Sequence, residues 1–129
     1  MGGAGSIRGN AEGLRRHNKK IRIVAVEPSE SPVLSGGKPG AHKIEGVGAG
    51  FVVPLWQQSI ADHLEQVSTE DAVAMSLRLA REESLFAGTS TGANVVAALR
   101  LAEQLGPAAT IVTIMCDTGM KYLSKLSSA

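Results

Sequence analysis

The stretch VEPSESPVLSGGKPGAHKIEGVGAG, Val26 to Gly50, decides how this chain is read. It continues a β-branched apolar run, IRIVAVE from Ile21 to Glu27, which Pro28 stops by fixing φ and removing a ladder donor. Glycine- and proline-rich loops follow. A loop this long inside a compact domain is functional or disordered, and disordered segments seldom carry interleaved residues such as Val33, Leu34, Ile44, Val47 and Phe51. The pattern predicts a buried strand whose end opens into ligand-facing loops.

Outward from that strand, helix and strand patterns alternate. Upstream, Ser6 is placed to cap a helix from about Ile7 to His17. Downstream, Ser68 with Asp71 three residues on predicts the start of a helix over Glu70 to Glu83, with Val73, Leu77 and Ala80 inward and Arg78, Arg81 and Glu82 outward. Leu85 to Ala87 reads as a short strand. After the turn GTSTG a helix is predicted from about Ala93 to Leu105, with Val95, Leu99 and Ala102 on one face and Gly106-Pro107 ending it. Thr110 to Met115 reads as a buried strand. The alternation argues for an α/β fold, a parallel sheet covered by helices with right-handed crossovers, in one domain spanning 1–129.

Composition narrows the function. The chain has 129 residues, 43% hydrophobic, with a formal net charge of +1, so no strongly basic surface points to nucleic acid. Arg15, Arg16, Lys19 and Lys20 fall at the end of a helical pattern, where positive charge complements the macrodipole. Only 3% of residues are aromatic, which leaves an aliphatic core and no platform for stacking bases. No run approaches the roughly 18 apolar residues of a membrane span, and no leader pattern opens the chain, so a cytoplasmic location is expected. The single cysteine, Cys116, closes an apolar run and is expected to be a buried thiol. His17, His42 and His63 show no metal-ligand spacing.

Three glycine-rich stretches carry candidate chemistry. GGAGS, Gly2 to Ser6, precedes a helix, where free backbone N–H groups and the positive dipole end favour a phosphate; a flexible terminal tail is the plain alternative. GTSTG, Gly88 to Gly92, joins a strand end to a helix start, the usual ligand-facing position of an open α/β sheet, or else a simple tight turn. GVGAG, Gly46 to Gly50, has three glycines in five residues, which permit loop motion or serve a packed loop with positive φ. A dinucleotide site is a rival reading, since Gly3, Gly5 and Gly9 precede a helix and Glu27 ends the next strand. It is incomplete: the spacing is not G-x-G-x-x-G and no strand precedes Gly3. Asp117, in the CDTG turn, reads first as a turn residue.

The Val26–Gly50 stretch, together with EDAVAMSLRLAREESLFAGTSTGANVVAALRLAEQL, IVTIMCDTGMKYLS and GGAGSIRG, resembles cysteine synthase, the pyridoxal-phosphate enzyme also called O-acetylserine sulfhydrylase. The motifs come in the family's order and cover nearly the whole chain. The resemblance implies most of the larger C-terminal domain of a fold type II pyridoxal-phosphate enzyme, incomplete at its N-terminal side. It implies that Gly2, Gly3, Ala4, Gly5 and Ser6 stand where the family's Gly-Thr-Gly-Gly-Thr loop holds the cofactor phosphate, with Gly3 and Ala4 departing from that pattern. It places Ser90 at the cofactor's pyridine nitrogen, and Gly46 and Gly48 in a loop bordering the substrate. The implied reaction is β-replacement, O-acetylserine and sulfide giving cysteine and acetate.

The family's Schiff-base lysine and its asparagine-bearing substrate loop have no counterpart here; neither Lys43 nor Lys121 matches. The chain resembles less than half of a cysteine synthase, so no activity is expected from it alone, and uncovered sheet surface predicts marginal solubility. The implied partners are an activated serine and sulfide, a second copy in a homodimer, and a serine acetyltransferase tail. A non-catalytic binding module that keeps such contacts is the alternative function.

Overall fold

The structure is a computed structural model that describes residues 1–123; the last residue of the CDTGMKYLS motif, Ser124, lies outside them. The fold is α/β, with helices and a parallel two-stranded sheet. It divides into two compact units, one formed by Met1–His42 with Gly46–Gln66, the other by Lys43–Glu45 with the chain from Val67 onward.

In the first unit, helix α1 (Gly5–His17) starts from Ala4, whose φ of 64° is left-handed and which offers no side-chain cap. The expected Ser6 cap is therefore corrected: backbone geometry at Ala4 starts the helix, and Ser6 sits inside its first turn. Arg8 and Glu12 pair at 2.9 Å, one turn apart. The helix ends at His17, so Lys19 and Lys20 lie beyond it. Arg15 reaches Asp62 at 2.9 Å and the Ser59 carbonyl at 3.2 Å, tying the helix to a 3-10 turn over Gln58–Ile60.

Strand β1 (Val24–Pro28) pairs with β2 (His63–Val67). The strand begins three residues later than the apolar run because Ile23 is occupied otherwise. Its N–H donates to the Asp62 carboxylate at 2.7 Å, and its carbonyl accepts from the Asp62 N–H at 2.7 Å. Sequence pattern gave no sign of β2, since HLEQV lacks a hydrophobic alternation. Ala4, Ala11, Ile23, Ala25, Leu34, Val53 and Ile60 form the unit's core, aliphatic as expected but for one aromatic member, Trp56.

The second unit is built on α2 (Thr69–Glu83) against α3 (Thr89–Leu105). Ser68 caps α2 as expected, its side chain accepting from the Asp71 N–H at 3.0 Å. The buried positions of α2 are Ala72 and Ser76. On α3 they are the whole first stretch Thr89 to Ala93, then Val96, Ala97 and Leu101, whereas Leu99, expected inside, is 45% exposed. Small residues permit this close packing: a Cβ on Gly92 would stand 3.0 Å from the Ala72 carbonyl carbon and nearer still to its oxygen.

Two further expectations are corrected here. Leu85 to Ala87 is not a strand; only Ala87 makes a bridge, antiparallel, to Thr118. Thr110 to Met115 forms no strand, and Val112 is 87% exposed. A strand exists only through its partner, and among the described residues none pairs with this segment. Cys116 follows the same surface and is exposed rather than buried.

Candidate cofactor site

The GGAGS loop ends in the first turn of α1, whose leading amides have no acceptor within the helix. Gly3, Gly5 and Ser6 are exposed, and a Cβ on Gly3 or Gly5 would meet nothing within 4 Å. An anion therefore has both donors and room to approach them. Ala4 is buried and left-handed, a conformation costing about 1–2 kcal/mol for a residue with a Cβ. The departure from glycine thus leaves the helix start intact.

Gly2 lies so near the carbonyl of Gly46 that any Cβ would collide with it. The neighbouring Met1 carbonyl accepts from the Gly48 N–H at 3.1 Å. Two stretches that are more than 40 positions apart in sequence are thereby laid side by side. Gly46, Gly48 and Gly50 have φ of 77°, 65° and 79°, which explains glycine at each. Gly48 is further required by space, since a Cβ would come 2.8 Å from Pro28 Cγ, and its carbonyl lies 2.9 Å from His42 Nε2. In this structure GVGAG is a packed loop.

Glu27 is spent inside the same unit. It is 2% exposed, and its carboxylate accepts from the Leu34 N–H at 2.8 Å and from the Ser35 hydroxyl. Those bonds hold the 3-10 turn Val33–Ser35 against the strand end, so no oxygen is turned outward to a ribose. The dinucleotide reading is withdrawn on this residue.

In the second unit, GTSTG is the start of α3 itself, with Gly88 as the cap and Thr89 to Gly92 in the first turn. The helix begins four residues earlier than its apolar pattern. Ser90 is 7% exposed. Its neighbours brace the turn: the Thr89 hydroxyl accepts from the Glu45 N–H at 3.1 Å, and the Thr91 hydroxyl from the Cys116 N–H at 3.2 Å. Ser76 Oγ donates to the Gly88 carbonyl at 3.1 Å. Sequence reasoning missed these roles; the run of hydroxyl residues was their only signal.

Asp117 also belongs to this turn. Its carbonyl accepts from the Gly88 N–H at 3.2 Å, and its Oδ2 accepts from the Tyr122 hydroxyl. That hydrogen bond, followed by burial and the negative charge of Asp117, pushes the Tyr122 phenol up to about 12. Asp117 Oδ1 is buried without a partner among the described residues. Asp117 is thus a brace at the head of α3, more than an ordinary turn residue. Within the first unit the amides at the start of α1 suit an anion such as a phosphate, and within the second a buried serine hydroxyl, Ser90, stands in the first turn of α3.

Cysteine synthase of Staphylococcus aureus is 43% identical over 124 residues, which are 96% of this chain and 40% of that protein. The crystal structure of O-acetylserine sulfhydrylase isoform 3 from Entamoeba histolytica superposes with a TM-score of 0.97 at 37% identity, covering all of this chain and 39% of its own. An O-acetylserine-dependent cystathionine β-synthase from Helicobacter pylori superposes with a TM-score of 0.90 at 38% identity, over 97% of this chain and 40% of that one. The chain spans about 40% of the length of the relatives it matches. Among the described residues no helix is long and apolar enough to cross a membrane. Residues 1–117 match the pyridoxal-phosphate dependent enzyme family, and the chain belongs to that family.

Proposed function

We propose that this chain contributes the phosphate-holding and ring-holding residues of a β-replacement enzyme that makes cysteine from an activated serine, O-acetylserine, and sulfide. The observation that carries the reading is the superposition of the whole backbone on an O-acetylserine sulfhydrylase, with the glycine loop at the start of α1 retained.

Gly2, Gly3, Ala4, Gly5 and Ser6 bind the phosphate through the amides at the head of α1. Gly46 and Gly48 border the substrate, and Gly2 fixes their distance from the phosphate loop. Ser90 meets the pyridine nitrogen. Pyridoxal phosphate, when bound, supplies the electron sink. A hydroxyl is too weak an acid to protonate that nitrogen fully, so Ser90 orients the ring while keeping it a modest sink. This favours elimination and replacement at the β-carbon over transamination. No lysine of this chain matches the one that would hold the cofactor and move the α-proton, so turnover requires the lysine-bearing part of a cysteine synthase. A homodimer and capture of a serine acetyltransferase tail are the partners this reading implies.

The test is co-expression with the lysine-bearing portion of the Staphylococcus aureus enzyme. Cysteine should form from O-acetylserine and sulfide only when both parts are present, and Ser90→Ala should lower the rate. Turnover by this chain alone, or no turnover from a stable pair, refutes the assignment. Pyridoxine 5′-phosphate, which carries no aldehyde and needs no lysine, separately reports whether the phosphate and ring contacts exist.

A further inference from the structure

Within the first unit Gly48 is held at three points. Its N–H donates to the Met1 carbonyl at 3.1 Å, and its own carbonyl lies 2.9 Å from His42 Nε2. A carbonyl oxygen only accepts, so Nε2 carries a proton and donates it. The ring also fills the space beside the Gly48 α-carbon, where a Cβ would stand 2.9 Å from His42 Cε1 and nearer still to Nε2. The chain leading to that ring is fixed as well: a Cβ on Gly40 would come 3.2 Å from the Glu30 carbonyl carbon and collide with its oxygen. The trans peptide after Gly48 points its N–H opposite to its carbonyl. With that carbonyl on His42, the Ala49 N–H is directed away from the ring, and it has no hydrogen-bond partner among the described residues.

We propose that His42 is a positioning residue of the Gly46–Gly50 loop: its Nε2–H, held on the Gly48 carbonyl, sets the direction of the Ala49 amide, which donates to an oxygen of the activated serine. The role of that amide rests on Gly46 and Gly48 bordering the substrate, as proposed above; the grip of His42 on Gly48 stands without it. A loop with glycines at positive φ at positions 46, 48 and 50 has much backbone freedom to lose. The imidazole removes part of that freedom before substrate arrives, so less is charged against binding. Histidine suits the task, because the Nε2-protonated neutral ring and the imidazolium both donate from Nε2. Glutamine keeps an N–H donor at similar reach, whereas alanine keeps none.

The test joins a spectrum of the chain by itself to kinetics of the enzyme reconstituted with the lysine-bearing portion. Nitrogen NMR of the histidine rings in mildly alkaline buffer should show His42, assigned by its absence in His42→Gln, as the Nε2-protonated tautomer; a ring protonated only at Nδ1 overturns the proposal. In the reconstituted enzyme, His42→Ala should raise KM for O-acetylserine by about threefold to tenfold, the size of one hydrogen bond, with kcat nearly unchanged, and His42→Gln should restore KM. A histidine that only supports folding predicts less active enzyme at an unaltered KM, and that result overturns the proposal, as does a KM for His42→Gln as high as for His42→Ala. If His42→Ala does not fold, the tautomer and the KM of His42→Gln, expected near the wild type, decide. If the wild-type pair makes no cysteine, the β-replacement reading fails, and the tautomer alone judges the grip of His42 on Gly48.

Discussion

Replacing Gly92 with alanine should destabilise the chain, while the same change at Gly13 should stabilise it. In an unhindered helix, alanine gains about 0.5–1 kcal/mol over glycine. Gly13 lies within α1, and a Cβ there meets nothing within 4 Å, so the full gain is expected. Gly92 lies within α3, where a Cβ would collide with the Ala72 carbonyl oxygen and with Ser76 Oγ. Overpacking of that kind costs about 1–3 kcal/mol. Moving α3 away also strains the hydrogen bond of Ser76 Oγ, whose single proton is shared between the Ala72 carbonyl at 3.0 Å and the Gly88 carbonyl at 3.1 Å, worth about 1 kcal/mol net in all. After subtracting the propensity gain, Gly92→Ala loses about 1–3 kcal/mol, and the two variants differ by about 2–4 kcal/mol. Thermal or urea melts followed by circular dichroism measure this directly, at about 3–5 °C per kcal/mol for a chain of this size. Equal stability of the two variants would show that α2 and α3 do not pack as described.

Other perturbations test other contacts. The Ile23 N–H holds the Asp62 carboxyl below its ordinary value, with Arg15 adding to the effect. The folded state therefore gains stability from Asp62 above the unfolded value and loses it as pH falls through the depressed one; Asp62→Asn should remove that acid-limb dependence, read by melts across pH 2 to 6 at about half-unit steps. Tyr122 is the single tyrosine, so ultraviolet titration should give one phenol midpoint near about 12. Its contribution is complete below pH 10.0 and lost as pH rises towards 12, and Asp117→Asn should bring the midpoint down. Val112, at 87% exposure, should accept lysine with a stability change within about 0.5 kcal/mol and a gain in solubility; a large loss would mean that the segment is covered.

The sequence by itself determined the α/β class, the capped start of α2, the end of α3 at Gly106, and a glycine-rich loop leading into α1. These are local: a serine three residues before an N–H, a glycine at positive φ, amides freed at a helix start. Tertiary structure decided what depends on neighbours distant in the chain. HLEQV became a strand only because β1 lies beside it, and Thr110 to Met115, far more strand-like by composition, found no partner among the described residues. Glu27 could be read as a ligand contact until its carboxylate was seen closing the turn at Leu34 and Ser35. The glycines of GGAGS and GVGAG could be called flexible until Gly2 was placed against Gly46. Side-chain type sets which bonds are available, but burial and pairing select which are made.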